Sequence, residues 1–343
     1  MLTNAAPHPP HNAPPDARRN ARPDAPDHTD TERLASAAEH AATLDDGYAA
    51  RPPLRVQVAM LAAVVLPFLG FVAAIVLLWG TAFDWMYLAL FVGMYTVTAM
   101  GITVGYHRLY THRAFTAPWP IVALVTIAGS MAAQGPLFYW VATHRRHHQH
   151  SDDAGDPHSP HLHGDTIGGA LKGMVHAHVA WLFRTDHRRL DRYIGDLTRD
   201  PLARALSRLF PLWVALGLLL PAVLTGLVTM SWKGALLGFL WGGLARMCFC
   251  HHVTWSINSV CHIWGAQPFR NGDESRNNAI FGVLAFGEGW HNNHHAFPTS
   301  ARHGLAWWQL DLSYWFIRAL EAVGLASQVR VPTPERIAAK RAE

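Results

Sequence analysis

The chain is poor in charged residues and in cysteine. Of its 343 residues 15% are charged and 50% are hydrophobic. Cys248, Cys250 and Cys261 are odd in number and form no CxxC pair, which argues against a disulfide framework and a thiolate metal site. This composition is more typical of a membrane protein with several spans than of a soluble protein. The clustered arginines then indicate topology and lipid headgroups, and no nucleic-acid partner is expected.

Both ends of the chain lack the apolar side chains needed to build a core. Residues 1–50 are rich in Ala, Pro, Asp and Arg. Such a segment cannot bury enough apolar surface to offset its ordering entropy, so it is predicted to be a disordered tail. It also lacks the basic start and apolar core of a signal peptide. Residues 331–343 are predicted to be a short polar tail, which leaves 51–330 as the folded domain.

Four apolar stretches have about the length needed to cross the hydrocarbon core of a bilayer. Their predicted bounds are Val56–Trp79, Trp85–Tyr106, Leu209–Met230 and Trp232–Thr254. A fifth stretch, Ile121–Trp140, contains Gly129, Gln134 and Pro136 and is predicted to lie in the interface or to re-enter. The sequence therefore predicts an all-α membrane protein with four transmembrane helices in two hairpins and one interfacial or re-entrant helix.

Histidine is present in excess, with 23 copies, and much of the excess lies in three clusters. The clusters, called boxes here, are His107–His112, His144–His148 and His291–His295. Positions i and i+3 or i+4 share one face of a helix, which aligns His144 with both His147 and His148, and the third box repeats this spacing. The five-residue spacing of the first box fits one ideal helix worse. We expect the second span to continue beyond the membrane and to end near His112.

Two further polar residues follow the last predicted span. Asn258 and His262 are four residues apart and would share a face. With His262 the boxes supply nine imidazoles, enough for most of the coordination of two metal ions, and the Asn258 amide could hold a metal-bound water. Imidazole alone does not choose between zinc, copper, iron and nickel.

Ligating imidazoles need partners that orient their second ring nitrogen. Five carboxylates near the boxes are candidates, although the sequence does not assign the pairs: Asp152, Asp153, Asp156, Asp273 and Glu288. Eight other histidines are interpreted as amphipathic side chains at the membrane surface. They are His158, His161, His163, His176, His187, His251, His252 and His303.

The number of spans between the boxes predicts the side on which they lie. An even number separates each pair, so all three boxes reach one side, where they form a helical cap. The connections on the other side, 80–84 and 231–233, hold one Lys and no Arg. Because cytoplasmic loops carry the excess of Lys and Arg, the cap and both termini are predicted to be cytoplasmic. The protein is expected to be integral to the inner or plasma membrane.

The motifs resemble those of the membrane-bound fatty acyl desaturases, the stearoyl-CoA desaturase-like family, especially its bacterial branch. The matching elements, in order, are HRLYTHR at 107–113, HRRHH at 144–148, GDPH at 155–158, NSVCH at 258–262 and HNNHHAFP at 291–298. The resemblance implies that 51–330 form a membrane fatty acid desaturase domain with two irons. It also implies that the irons are held by His107, His112, His144, His147, His148, His262, His291, His294 and His295, and by Asn258 through water.

The reaction implied by the resemblance is O2-dependent introduction of a cis double bond into a saturated acyl chain, usually at C9–C10. No haem motif or flavin fingerprint occurs, so electrons would come from an external ferredoxin-, rubredoxin- or cytochrome b5-like donor and its reductase. The arginines at 145, 146, 188 and 189 are predicted to form its docking surface. Trp255 matches an aromatic residue beside the family's bent acyl tunnel. Phe91 and Tyr95 would either floor that tunnel or pack only against lipid and other helices.

The acyl carrier is left open by one departure from the family. The animal acyl-CoA enzymes have a basic and an acidic residue before the second box, where this chain has Ala142 and Thr143. Arg184 is retained after Trp181, but the Lys that would follow it is Thr185. The acyl chain that is the substrate could be attached to CoA or to a lipid.

Two alternative functions are compatible with parts of the pattern. A related di-iron membrane hydroxylase would use the same oxidant, although the motif order and NSVCH argue against it. A His-rich metal transporter would need polar ligands at mid-membrane depth. The predicted spans contain almost no ionisable residue near their centres, and Arg246 is the exception.

Overall fold

The computed structural model describes residues 52–80, 84–164, 166–184 and 190–341, with side chains described as far as residue 77 in the first range. Within these ranges the chain is helical, with isolated β-bridges and no strands. The all-α prediction is therefore confirmed for this part of the chain. The predicted tail 1–50 lies outside the described residues, as do Thr185, His187 and the arginines at 188 and 189.

Thirteen α-helices are found among the described residues. They are α1 (Leu54–Gly80), α2 (Trp85–Met100), α3 (Trp119–Ser130), α4 (Leu137–His150), α5 (Ile167–His178), α6 (Pro201–Arg208), α7 (Phe210–Thr229), α8 (Trp232–Gly238), α9 (Arg246–Ser259), α10 (Ala279–Leu284), α11 (His291–Ala296), α12 (Leu312–Ala322) and α13 (Pro334–Lys340). A π-helical segment, Gly101–Thr111, continues α2, and a second, Phe239–Ala245, joins α8 to α9. Short 3-10 turns occur at Ala180–Phe183, Asp191–Tyr193 and Val260–His262.

Three helical segments are long and apolar enough to cross a membrane. They are Leu54–Leu77, Trp85–Thr111 and Phe210–Thr229, and they coincide with the first three predicted spans. The fourth predicted span lies within the continuous helical run from α8 to α9. That run is not among the three, because Arg246 and the histidines at 251 and 252 interrupt its apolar stretch.

The π-helical continuation of α2 explains the unusual spacing of the first box. A π-helix bonds residue i to i+5, and the His112 amide donates to the His107 carbonyl at 3.1 Å. This segment lies against α3 so closely that a Cβ on Gly101 would be 2.0 Å from the Gly129 nitrogen. The second span therefore continues to Thr111, as predicted, with a helical register that places His107 and His112 on one side.

The apolar stretch from 121 to 140 is divided between two helices. Helix α3 has 12 residues, about 18 Å at 1.5 Å per residue, whereas the hydrocarbon core is about 30 Å thick. A turn with positive φ at Ala133 and Gly135 separates it from α4, which carries the second box. The short helix and the turn fit the prediction that this stretch does not span the membrane.

Arg246 lies fully buried where four helical elements meet. Its guanidinium donates to three backbone carbonyls, those of Gly242 at 3.0 Å, Met131 at 2.9 Å and Gly217 at 2.8 Å. The acceptors belong to the second π-segment, the turn after α3, and α7. Arg246 therefore fixes the position of the α3–α4 turn relative to α7 and α9.

The C-terminal segment folds against the third box. Backbone bonds join Arg330 to Ala114 and to Ala301, both at 2.8 Å. Helix α13 then brings Lys340 to the C-terminal end of α11, where its ammonium donates to the Ala296 carbonyl at 2.7 Å. Ile337 packs against a small apolar cluster that includes Phe297. Residues 331–341, predicted as part of a polar tail, thus contribute to the packing around the third box.

Candidate metal centre

Nine histidines converge in two groups. The five-His group contains His107, His112, His144, His148 and His294, and the four-His group contains His147, His262, His291 and His295. In each group, one ring nitrogen from every member lies within 4.8 Å of the others. These are the nine imidazoles that the spacing singled out, and each group draws on at least three separate chain segments.

Helical spacing divides the histidines of the second box, and those of the third box, among the two groups. On α4, His147 points to the four-His group, while His144 and His148 point to the five-His group. On α11, His294 joins the five-His group, and His291 and His295 join the other. The predicted alignment of one box with two neighbouring sites is therefore what the structure contains.

The Nε2 atoms within each group face one another at short range. In the five-His group the His294 Nε2 lies 3.1 Å from that of His107 and 2.9 Å from that of His148. In the four-His group the His291 Nε2 lies 3.0 Å from that of His262 and 3.1 Å from that of His295. With metal–nitrogen bonds of about 2.1 Å, neighbouring ligands of a tetrahedral or octahedral ion lie about 2.9–3.4 Å apart. The spacing fits imidazoles around a common ion.

One pair of rings makes the need for a cation explicit. His147 Nδ1 lies 2.9 Å from Asp156, and His295 Nδ1 lies 2.7 Å from Asp273, so each ring donates its Nδ1 proton to a carboxylate. Their Nε2 atoms lie 3.4 Å apart. As neutral imidazoles they direct two lone pairs at each other. A cation between them, a proton or a metal ion, removes this repulsion.

Carboxylates orient four of the nine rings. Besides the two pairs above, His262 Nδ1 donates to Asp152 at 2.7 Å, and His107 Nδ1 lies 2.7 Å from Glu288. Four of the five predicted orienting carboxylates are thus confirmed as partners, with the pairs now assigned. Asp153 is wrong as a candidate, since it is exposed and bonds no ligand ring among the described residues.

Burial keeps most of the imidazoles neutral. Burial, and after it the neighbouring imidazoles, holds the pKa of His112, His144, His148, His291 and His294 well below the usual value. Burial also acts to raise the pKa of Asp152 and Asp273, but the hydrogen bonds from His262 and His295 prevail and hold it well below its usual range. Neutral imidazoles beside ionised carboxylates are the form that binds a divalent metal ion.

Glu288 connects the five-His group to a buried arginine. Its Oε1 accepts from Arg108 at 2.5 Å, while its Oε2 lies 2.7 Å from His107 Nδ1 and 3.4 Å from His303 Nδ1. Arg108 is fully buried and also donates to Asp311 at 3.0 Å. The orientation of His107 therefore depends on a network that spans the first box, the residues before the third box and the start of α12.

Two cavities meet beside the histidines. The larger, about 580 Å³, runs from the start of α1 to His144 and is lined mostly by apolar side chains. The smaller, about 50 Å³, lies on the other side of His144 and is bordered by His107, His291 and Tyr95. Both are lined by Trp140, His144, Thr254 and Asn258. The predicted water-holding residue, Asn258, thus lies at the point where both cavities approach the five-His group.

The four predicted tunnel residues have different positions. Trp255 lines the larger cavity and Tyr95 lines the smaller, where its hydroxyl donates to the Leu284 carbonyl. Phe91 lines neither and packs against Trp241 and Phe249, which is the packing alternative stated above. Arg184 is exposed just beyond the Ala180–Phe183 turn and does not line either cavity.

Several histidines interpreted as surface residues are buried. His158, His176, His251 and His303 are each less than 5% exposed, so that interpretation is wrong for them. His303 matters most, because its ring lies 4.5 Å from that of His294 and 5.4 Å from that of His107. It was missed because it lies outside the box spacing.

The proposed docking arginines that the structure describes have structural partners. Arg145 bonds Asp196 and the carbonyls of Tyr110, Thr111 and Tyr193. Arg146 is 4% exposed and donates to the Gly155 carbonyl. Arg146 is therefore too buried to contact a redox partner, whereas Arg145 is partly exposed and its place in a docking surface stays a prediction.

Comparison with known proteins gives consistent matches. The family model described as fatty acid desaturase matches residues 83–327. The chain is 44% identical over 279 residues to a hex-5-enoyl-[acyl-carrier protein] acetylenase of Moorena producens (strain JHB), covering 81% of this chain and 87% of that protein. It is 38% identical over 253 residues to the sn-1 stearoyl-lipid 9-desaturase of Anabaena variabilis, covering 73% and 86%. It is 39% identical over 257 residues to delta-9 acyl-lipid desaturase 1 of Arabidopsis thaliana, covering 73% and 77%.

The family match covers both groups of histidines and two of the three membrane-length segments, Trp85–Thr111 and Phe210–Thr229. Each relative covers more than two thirds of this chain at an identity above 30%. The resemblance first indicated by the boxes is therefore confirmed along most of the sequence. The chain belongs to the fatty acid desaturase family of O2-dependent oxidoreductases of lipid metabolism.

Proposed function

We propose that this protein is a membrane di-iron desaturase that introduces a cis double bond at the C9 position of an acyl chain carried by a membrane lipid. The observation that carries the metal assignment is the convergence of nine imidazoles in two groups, in each of which one ring nitrogen from every member lies within 4.8 Å of the others. The nine histidines would be the ligands of the two irons, and Asn258 would hold one iron through a water molecule.

Iron bound there would use electrons from the external donor to reduce O2. It would thereby supply the oxidising power needed to remove hydrogen from an unactivated CH2 group. The surrounding residues bind and orient the ligands and the acyl chain. The carboxylates of Asp152, Asp156, Asp273 and Glu288 fix the ring orientations through Nδ1. The apolar cavity walls exclude water from the acyl chain and hold one segment of it beside His144.

The shape of the cavities supports a chain that passes the metal centre. The larger cavity would receive the part of the acyl chain nearest its carrier, and the smaller would receive the part beyond the reacting carbons. Trp140, Thr254 and Asn258 border both. The position of the double bond would then follow from the distance between the mouth of the larger cavity and these shared residues, and Tyr95 would limit the length beyond it.

The mouth of the larger cavity supports a lipid as the carrier. The lining of this cavity includes Arg55 and Val56 at the start of α1 and Phe210 and Pro211 at the start of α7, where we place its mouth. In the proposed topology, with four spans and the histidines on the cytoplasmic side, both helices begin at the same surface of the bilayer. Among the described lining residues Arg55 is the one Lys or Arg, which is little charge to recognise the phosphates of CoA.

Helix α5 provides a second argument for access from the bilayer. Ile167, Leu171, Met174 and Val175 are 84%, 56%, 41% and 53% exposed and recur at helical spacing. The turn that follows α5 supplies Trp181 and Leu182 to the cavity wall. An exposed apolar helix face beside the cavity mouth is suited to the membrane interface. A lipid could then insert its acyl chain without leaving the membrane.

The electron donor is proposed to be a separate protein of the ferredoxin, rubredoxin or cytochrome b5 type. This proposal depends on the sequence, which carries no flavin fingerprint or haem motif. The related hydroxylase remains the second candidate by chemistry, because it would use the same metal centre. The relatives named above, two of them lipid 9-desaturases, favour desaturation.

Expression in a bacterial host that lacks its own desaturase tests the proposal. Mass spectrometry of the extracted fatty acids should reveal a new cis double bond at C9. When the acyl chains of the phospholipids are isotopically labelled before induction, the labelled double bond should appear first in intact phospholipids. His294→Ala should remain in the membrane and form at least 1,000-fold less product, about 4 kcal/mol in activation free energy. His252→Ala is the matched control, since His252 is an exposed histidine outside both groups, and it should retain activity. A hydroxylated product would contradict desaturation, and label entering only through acyl-CoA would contradict the lipid carrier.

A further inference from the structure

The carboxylates that hydrogen-bond the histidines are unevenly divided between the two groups. Three of the four members of the four-His group donate Nδ1 to an aspartate: His147 to Asp156 at 2.9 Å, His262 to Asp152 at 2.7 Å and His295 to Asp273 at 2.7 Å. In the five-His group, one carboxylate contact of this kind is found among the described residues, between His107 Nδ1 and Glu288 at 2.7 Å. The two positions therefore differ in nearby negative charge.

The charge of Glu288 is partly offset. Arg108 is fully buried and donates to Glu288 at 2.5 Å and to Asp311 at 3.0 Å, so these three groups together keep one net negative charge. Asp152 and Asp273 are stabilised instead by neutral donors: the Ser159 hydroxyl and Glu274 amide for Asp152, and the Ser275 amide for Asp273. Neutral donors leave the net negative charge of these two carboxylates in place.

Negative charge at a buried position stabilises a more highly charged ion. An imidazole that donates Nδ1–H to a carboxylate is also a more basic ligand through Nε2. Both effects favour the ferric over the ferrous state. The fifth imidazole of the other group acts in the same direction, but it is neutral and adds donor strength without charge. In a site from which water is largely excluded, the charge difference has the larger effect.

We infer that the two iron positions are electronically different, and that the iron in the five-His group is reduced before the iron in the four-His group. The inference rests on the proposed di-iron centre and extends it to the division of labour between the ions. The first electron from the donor would reside beside Glu288 and the cavity-lining histidines His107 and His144. The iron held among Asp152, Asp156 and Asp273 would accept the second.

Stepwise reduction of the protein loaded with iron-57, followed by Mössbauer spectroscopy, tests this. The oxidised protein should give two quadrupole doublets, and one electron equivalent should convert only one of them to the ferrous form. The doublets are assigned by the substitution that alters them: Glu288→Gln for the five-His iron and Asp273→Asn for the four-His iron. The doublet altered by Glu288→Gln should be the one reduced first.

Two neighbouring aspartates provide a matched pair for the charge argument. Asp152→Asn removes a carboxylate bonded to His262, whereas Asp153→Asn removes an exposed carboxylate that bonds no ligand ring among the described residues. Asp152→Asn should bring the two reduction steps closer together and weaken retention of one iron about 10- to 100-fold against a chelator. Asp153→Asn should match the wild type in both measurements.

The outcomes separate this inference from the proposed function. Two irons that are reduced together, or first reduction of the doublet altered by Asp273→Asn, would overturn the inference while leaving the di-iron desaturase intact. Equal effects of the two Asn substitutions would also overturn it. A purified wild-type chain that binds fewer than two irons under saturating iron would contradict the proposed metal centre itself.

Discussion

At the scale of single residues, two buried arginines connect parts of the chain that are distant in sequence. Arg108 contacts Glu288 and Asp311, and so joins the first box to the segments around the third. Arg246 has three carbonyl acceptors on separate elements. Both depend on the planar, forked guanidinium, which serves several acceptors at once in a way that an ammonium group does not.

Substitution of Arg246 should destabilise the protein without touching the metal ligands. Arg246→Lys preserves charge but serves fewer carbonyls, so we expect a loss of about 1–3 kcal/mol of unfolding free energy. Thermal unfolding in detergent should show a lower midpoint. Lys233→Gln, at an exposed position near the start of α8, should leave the midpoint unchanged. An unaltered midpoint for Arg246→Lys would mean that the three hydrogen bonds contribute no net stability.

The sequence identified single residues well where spacing carried the information. His144, His147 and His148 follow helical periodicity, and the structure divides them between two groups as that periodicity requires. His303 has no periodic partner, and its burial results from tertiary packing against His294 and Arg108, which no local pattern encodes. The same limit applies to Arg145, whose partners include Asp196, 51 residues away.

At the scale of secondary-structure elements, the π-helical end of α2 and the C-terminal helix α13 both support the site. In an α-helix residues five apart differ by about 140° in direction, which would separate His107 from His112. The π register removes most of that difference. The signal in the sequence was that the five-residue spacing of His107 and His112 fits an ideal α-helix poorly. From it the continuation of the second span was predicted, but the π-helix was not. Helix α13 gave no such signal, because its contact with α11 depends on Lys340 and Ile337 alone.

Removal of the C-terminal helix should loosen the third box. A chain ending at residue 331 loses the Lys340 contact with the Ala296 carbonyl and the packing of Ile337. We expect weaker iron retention and a lower unfolding midpoint, with membrane insertion preserved because the apolar spans are intact. The single substitution Lys340→Gln should cost about 1 kcal/mol, the typical value of a cation at a helix C-terminus.

Two quantities are measured for each purified variant. They are the iron bound per chain after dialysis against a chelator and the midpoint of thermal unfolding. Lys172→Gln, on the exposed surface of α5, removes the same charge far from the third box in sequence and serves as the control. Iron retention equal to that of the wild type in the truncated chain would show that α13 does not support the site.

At the scale of the whole molecule, apolar length and span parity predicted most of the architecture, and packing determined the remainder. Three helices of membrane-spanning length and the convergence of the boxes follow from hydropathy and spacing. The fourth predicted span is not among these three, because Arg246 interrupts its apolar run, and the burial of Arg246 against carbonyls of other helices is a tertiary effect. The cavity walls combine residues from five or more segments, which explains why the sequence left open whether Phe91 lines the tunnel or packs against other helices.

Metal removal should destabilise the whole protein. Without a metal ion the nine imidazoles retain only protons to offset their facing lone pairs, and any ligand that binds only the folded state stabilises it by mass action. At a free ion concentration 1,000 times the dissociation constant the contribution is about 4 kcal/mol per site. Chelation should therefore lower the thermal midpoint by several degrees and restoration of ferrous iron should recover it. The same midpoint with and without iron would contradict metal binding by these groups.

The division of ligands along the chain has a consequence for biosynthesis. Four of the five members of the five-His group, His107, His112, His144 and His148, have been synthesised by residue 148, and only His294 comes later. In the four-His group only His147 precedes residue 262. A chain synthesised only as far as the second box therefore already carries four members of the five-His group and one member of the four-His group. Synthesis of the third box completes both groups, the five-His group through His294 alone and the four-His group through His291 and His295.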